Sequence, residues 1–343
     1  MIGVSQKKML ISMILANRVL ISLFLFLLFS CQEKLNTFYI SGYTQGTTYN
    51  IKYNSIDNHI SKTSIDSLLQ IIDLSMSSYI SNSTISKINK NLDVKLDSLI
   101  YYVIDRSIEI CDQTNGMFDI TVAPIVNDWG FGPQKKYKTT SSINVSLYEL
   151  GCDKIRLENS YLIKSDIVKI DLNGIAQGFS VDYLSDYFKS KGVEDFMIEI
   201  GGEITCSGNN LNKGWKIGVD APHAMIRTFA YILNLNNISL ATSGSYRNYY
   251  YSDSIKISHT INPKIMAPAR NQLLSATILS ADCLSADAYA TACMSFGLEE
   301  AKEFLIKNDI IGSLIYVQDK DTLFYFSDQF ASFLHRSPGS APQ

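Results

Sequence analysis

A carboxylate and a hydroxyl four residues apart, Asp287 and Thr291 in Ser285-Ala-Asp287-Ala-Tyr-Ala-Thr291-Ala, offer the most definite chemistry in this 343-residue chain. At helical spacing their oxygens project from one face. Hard oxygen ligands of this kind suit Mg²⁺, which takes a few protein oxygens, some waters and substrate phosphates. An acid early in a helix also serves simply to complement the helix dipole, and spacing alone leaves both readings open. A second segment, Asp171-Leu-Asn173-Gly174-Ile-Ala176-Gln-Gly178-Phe179, reads as a strand end, a tight turn and a helix start. That arrangement exposes backbone groups that bind phosphates and cations, or it is a plain structural connection. A third is Ser258-His259-Thr260-Ile261-Asn262-Pro263. Of His59, His223, His259 and His335, only His259 stands where a strand meets a turn beside other polar side chains, as a structural residue or a proton acceptor. The small-residue loop 241–247 offers Arg247 to an anion, or is a turn. In Thr114-Asn-Gly-Met117-Phe118-Asp119, after a helix end, the Phe118 ring is placed to stack on a planar ligand or to pack in the core. There is no G-x-G-x-x-G, P-loop, G-x-S-x-G elbow or H-E-x-x-H.

The elements that must position these residues alternate irregularly. Residues 38–53 read as two strands around a turn at Gly46. Residues 64–76 and 96–114 have helical periodicity, with Leu99, Tyr102, Val103, Arg106 and Ile110 at spacings of three and four. A short apolar strand over 168–172 is closed by Asn173-Gly174. It leads into a helix carrying Phe179, Tyr183, Leu184, Tyr187 and Phe188, which ends at Gly192. Strands are expected over 196–200, 215–219, 228–235, 255–258 and 276–280, and a helix near Ser285. The lack of a regular β-α-β beat points to an α+β fold. No repeat or long linker divides the chain.

Composition narrows the class. With 46% hydrophobic and 18% charged residues, the chain can bury a sizeable core, and a net charge of −3 gives no footprint for nucleic acid. At the N-terminus, Lys7, Lys8 and Arg18 precede an apolar run over 19–29 and then Ser30-Cys31. That run matches a signal-peptide core and is too short to span a bilayer. Residues 1–30 are expected to be a lipoprotein signal peptide with Cys31 lipidated, residues 31–36 a tether, 37–335 the catalytic domain and 336–343 a loose tail. The chain is thus expected to be exported and anchored by lipid to the bacterial membrane, facing the periplasm or the cell exterior. The remaining Cys111, Cys152, Cys206, Cys283 and Cys293 are odd in number and lack a C-x-x-C pair. They read as buried small hydrophobes rather than a disulfide framework or a zinc site.

In order and spacing, residues 114–132 (TNGMFDITVAPIVNDWGFG), 171–179, 198–203 (IEIGGE), 241–247, 258–263 and 286–291 resemble the ApbE family of FAD:protein FMN transferases. Gln45-Gly46-Thr47 and residues 76–79 (MSSY) add to the likeness, which runs from about Thr37 to Leu334. The resemblance implies a single α+β catalytic domain related to the T-fold, with FAD as substrate and Mg²⁺ as cofactor. It implies metal ligation by Asp287, Thr291 and the backbone carbonyl of Ala176. It puts Gln45, Tyr79, Met117, Phe118, Asp119, Asn173, Phe179 and Ile261 at FAD-contacting positions, and His259 with Asp287 in catalysis. The reaction implied is transfer of FMN to a Thr or Ser hydroxyl of an acceptor flavoprotein, such as a membrane redox subunit, with release of AMP. An FAD pyrophosphatase and a non-catalytic FAD-binding lipoprotein are the alternatives. One departure stands beside the presumed site: where the family usually has a basic residue, Thr and Gly after the proline, this chain has Lys264-Ile265-Met266.

Overall fold

Gln45 and Gly46 both take left-handed backbone conformations (φ 49° and 75°) and make the two-residue turn between strands β1 (Asn36–Thr44) and β2 (Thr47–Ser55). Such a turn needs positive φ at both positions, and glycine supplies the second without steric cost. The hairpin begins a sheet continued by β3 (Asp195–Ile200), β4 (Glu203–Ser207), β5 (Ile238–Gly244), β6 (Leu273–Ser280), β7 (Ile311–Gln318) and β8 (Asp321–Phe326). Every strand pairs antiparallel with its neighbour in the chain, so the spatial order is the sequence order. The computed structural model describes residues 35–335 except 58, 134–142, 223–227, 247, 253 and 254, with scattered positions before 19. Cys31, Arg247, His223 and the tail after 335 lie outside the described residues. Among the described residues, no helix is long and apolar enough to cross a membrane.

Two long connections interrupt this meander and carry the helices. Between β2 and β3 lie α1 (Lys62–Met76), α2 (Thr84–Asn89), α3 (Ser98–Gln113), α4 (Ala123–Asp128) and α5 (Ala176–Ser190). Between β6 and β7 lie α6 (Cys283–Phe296) and α7 (Leu298–Lys307). The central strands are covered on both sides. Ala241, Ala276 and Ile278 pack toward α6, while Leu240 and Leu279 join Trp215, Leu233 and Phe330 on the other face. Alternate side chains of one strand point to opposite faces, and with both faces covered β6 is buried from 273 to 279, Ser275 and Thr277 included.

Helix α6 is buried almost all round: Ala286, Ala288, Ala290, Ala292 and Cys293 are inaccessible. A helix apolar on every side belongs inside a domain, so a carboxylate on it is the informative exception. The expected helices and strands appear with ends moved by a few residues. The strand expected over 168–172 is only a single parallel bridge, Val122 to Lys169, because the segment it meets is equally short. The cysteine reading needs correction. Cys111 at the end of α3 and Cys152 are joined in a disulfide across 41 residues of chain, with Cα atoms 6.4 Å apart. Cys206, Cys283 and Cys293 are buried and free, as small hydrophobes.

Candidate active site

The site forms where α5 and α6 cross. A Cβ on Gly178 would stand 2.4 Å from the Cys283 carbonyl oxygen and 2.8 Å from Asp287 Cβ, so only glycine permits this approach. The closeness lets the Gly178 N–H donate to Asp287 Oδ2 at 3.1 Å. One turn earlier on the α5 side, the Gly174 Cα faces Thr291. A Cβ there would lie 3.1 Å from Thr291 Oγ1 and 3.5 Å from the Phe118 ring. Contacts 174 to 291 and 178 to 287 bracket Ala176, the first residue of α5. The turn that delivers it is fixed by Asp171, whose Oδ1 accepts from Asn173 N at 2.9 Å and whose own N–H donates to the Ile120 carbonyl at 2.7 Å. That last bond ties the 171–174 turn to the segment carrying Met117, Phe118 and Asp119.

Asp287 is 5% exposed, and burial, countered by the Gly178 N–H and reinforced by the charge of Asp182, pushes its carboxyl up to about 7. No cationic side chain neutralises it among its described hydrogen bonds and ion pairs. A buried carboxylate, a Thr hydroxyl and a first-turn carbonyl form an all-oxygen donor set that fits Mg²⁺.

Asp182 is a functional residue that the sequence reading passed over. It accepts from the N–H groups of Cys283 (2.9 Å) and Leu284 (2.8 Å), while Asp282 accepts from Ser285 N at 2.7 Å. Two carboxylates thus cap α6 and set its position against α5. Burial raises Asp182 to about 7 as well. Its partners lie 101 and 102 residues away, so no local pattern marks it.

The other expected residues fall into distinct groups. Gln45 reaches the site from the hairpin turn, its Nε2 donating to Ser180 Oγ at 2.7 Å, and Ser180 in turn donates to the Ala176 carbonyl at 2.7 Å. Met117 and Phe118 are buried. The Asp119 carboxylate turns away to accept from Thr121 N and Oγ1 (2.8 and 2.7 Å) and lies 3.5 Å from Cys152 Sγ. It therefore braces the disulfide region. Asn173 is exposed, and Tyr79, 57% exposed, lies close enough to Asp171 to feel its charge. Phe179 packs between Tyr102 and Tyr183 at 6.0 and 5.9 Å, on a different face of α5 from Ser180.

Ile261 and Asn262 dock on the far half of α6. Ser295 Oγ donates to the Ile261 carbonyl at 3.0 Å, and Asn262 Nδ2 donates to the Ser295 carbonyl at 3.0 Å. Among the described residues the His259 ring bonds only to the Asn248 carbonyl, through Nδ1 at 3.1 Å, and its edge meets Phe131. A carbonyl only accepts, so Nδ1 carries the proton and Nε2 keeps its lone pair. Burial lowers the imidazole below its ordinary value, which favours this neutral form near pH 7. No hydrogen bond joins His259 to Asp287 or Thr291. At the departure noted above, Met266 takes φ 52°, a conformation glycine adopts freely. A cavity of about 780 Å³ between the β1–β2 hairpin and α1 is lined by Thr44, Lys62, Asp66 and Asp73, among others, but by none of the expected site residues.

Comparison with known proteins gives the family. The ApbE family profile matches residues 45–314. A Vibrio cholerae protein named FAD:protein FMN transferase is 34% identical, covering 91% of this chain and 97% of its own. The Haemophilus influenzae protein of the same name is 33% identical over 94% and 97%. Among solved structures, the flavin transferase ApbE from Vibrio cholerae superposes with a TM-score of 0.79 at 32% identity, covering 88% of this chain and all of that one. The Pseudomonas stutzeri flavinyl transferase ApbE gives 0.79 at 26% identity, over 90% and 99%. A profile match across most of the sequence, with relatives above 30% identity along nearly their whole length, establishes that the chain belongs to the ApbE family.

Proposed function

We propose that this transferase moves the FMN half of FAD onto a Thr or Ser hydroxyl of an acceptor flavoprotein, with Mg²⁺ held by Asp287, Thr291 and the Ala176 carbonyl. The acceptor oxygen bonds to the FMN-side phosphorus, the bond to the AMP phosphate breaks, and AMP leaves. The observation that carries the reading is the α5–α6 seam, where a buried carboxylate without a cationic partner faces the start of α5 beside a Thr hydroxyl. When bound, Mg²⁺ would neutralise pyrophosphate charge. Everything else is positioning and proton management by the chain itself. His259 Nε2, unprotonated while Nδ1 is tied to Asn248, accepts the hydroxyl proton. Phe118, against Gly174, offers an apolar wall for a planar ring.

Incubation with FAD, Mg²⁺ and a candidate acceptor domain tests the reading. AMP together with covalent flavin fluorescence on the acceptor is expected. AMP with free FMN would instead make the chain a pyrophosphatase, and neither product would make it a flavin-binding protein.

The same proposal places the enzyme outside the cytoplasm, anchored through a lipid on Cys31 and acting on a membrane redox subunit. Two features support this: the basic, then apolar, then Ser30-Cys31 start, and the Cys111–Cys152 disulfide, a bond that persists in oxidising compartments. Incorporation of labelled fatty acid, absent from Cys31→Ala, is the expected result. Equal labelling of both forms would remove the anchor from the proposal.

A further inference from the structure

Gln45 and Ser180 lie 135 residues apart, yet the hairpin turn brings them together beside the start of α5. Gln45 Nε2 donates to Ser180 Oγ at 2.7 Å, and Ser180 Oγ–H donates to the Ala176 carbonyl at 2.7 Å. A helical serine bonding back to the carbonyl four residues earlier is ordinary on its own. The grip from Gln45 is not. The Asp73 carboxylate lies near enough to feel the Gln45 side chain. With Gln45 Nε2 donating, Ser180 Oγ receives that proton and directs its own toward Ala176. The arrangement leaves Gln45 Oε1 buried with no hydrogen-bond partner. A buried unpaired acceptor costs on the order of 1–3 kcal/mol, and such costs are tolerated where a local arrangement serves another end.

We infer that Gln45 and Ser180 are positioning residues for magnesium, a relay that fixes the Ala176 carbonyl for metal ligation; this rests on the proposed ligand set. The Ser180 hydroxyl bonds to the carbonyl oxygen and restrains its direction, which would set the approach open to a cation. The turn at Gln45 stops that hydroxyl from rotating away. The left-handed backbone at Gln45 aims its side chain inward, so the hairpin clamps the ligand loop from outside α5. Partners that orient a metal's ligands commonly set its affinity.

The test is calorimetric titration of the full chain with Mn²⁺ and Mg²⁺, without FAD. Ser180→Ala and Gln45→Asn, which keeps a residue at ease in left-handed backbone but shortens the reach, are each expected to weaken metal binding roughly tenfold. The double variant is expected to lose little more than either single one, since both cut one chain of bonds. Ser180→Thr, which retains the hydroxyl, is expected to bind close to wild type. Asp287→Ala is the control and should bind no metal. Wild-type affinity in Ser180→Ala while Asp287→Ala has lost binding would overturn the relay. Full binding in Gln45→Asn would remove Gln45 from it. Retained binding in Asp287→Ala would instead overturn the ligand set on which the relay depends.

Discussion

Gly178→Ala is the sharpest test of how the site is held. The added methyl would begin 2.4 Å from the Cys283 carbonyl oxygen and 2.8 Å from Asp287 Cβ, both on α6, so α5 and α6 must part by about 1 Å to restore ordinary contact. Overpacking of this kind costs roughly 1–3 kcal/mol. Losing the Gly178 N–H bond to the buried Asp287 carboxylate adds about 1.5–3 kcal/mol. The better helix propensity of alanine returns about 1 kcal/mol. The net expectation is a destabilisation of roughly 2–5 kcal/mol, read as a lower urea midpoint at unchanged slope. Because the same displacement moves Asp287 away from the Ala176 carbonyl, flavin transfer should fall on the order of 10²-fold, even at temperatures where the variant is fully folded. Transfer rates across a Mg²⁺ titration, with folded fraction followed by circular dichroism, separate the two effects. A variant within 0.5 kcal/mol of wild type and fully active would refute the argument that the crossing at Gly178 sets the site.

Other outcomes follow from the same site. Burial raises Asp287 from 3.8 to about 7, so in metal-free protein its contribution to stability is complete below about pH 4 and is lost as pH rises through 7. Asp287→Asn should reduce that slope by roughly 2–3 kcal/mol between pH 5 and pH 8, leaving the part that Asp182 contributes, while abolishing transfer; chelated unfolding curves at the two pH values measure it. Burial lowers His259, so the acid limb of kcat/KM should lie below pH 6.5, and a pH profile of His259→Gln should lack that limb. Opening the 41-residue disulfide loop with Cys152→Ser should cost about 4 kcal/mol or less in urea unfolding, whereas reductant should leave the variant unchanged.

Residue types and local spacing carried the elements and half of the proposed metal site. Asp287 and Thr291 are legible because four residues is a helical period, and the Gln45-Gly46 turn because its chemistry is local. In the proposed ligand set Ala176 would act through its backbone and so leaves no side-chain signal; its assignment comes from the family resemblance, and Gly174 and Gly178 on either side of it face α6. The bond between Gly178 and Asp287 spans 109 residues, and the capping of α6 by Asp182 spans over 100. Neither is encoded in a pattern that one segment can display. Asp119 reads as a ligand contact because it is an acid beside an aromatic, and the structure adds a local bond: its Oδ1 accepts from Thr121 N and Oγ1 two residues on. The disulfide was missed because five cysteines without close spacing give no pairing rule, and only the fold brings Cys111 to Cys152. Met266 is legible as a departure, but its left-handed backbone, which explains why glycine suits that position, is a fact of three dimensions.

The chain-ordered sheet has a consequence for biosynthesis. Strands β1 to β4 can pair as they emerge, since each meets the one made just before it. The oxygen cluster follows a different schedule. Gln45 and Ala176 belong to the first long connection and its hairpin, but Asp287 and Thr291 are made more than a hundred residues later, in the second. A nascent chain released from the ribosome before residue 291 would carry six of the eight strands and all the expected FAD-contacting residues, but an incomplete set of the proposed metal ligands. Truncation from the C-terminus should therefore give a sharp threshold at α6 rather than a graded loss.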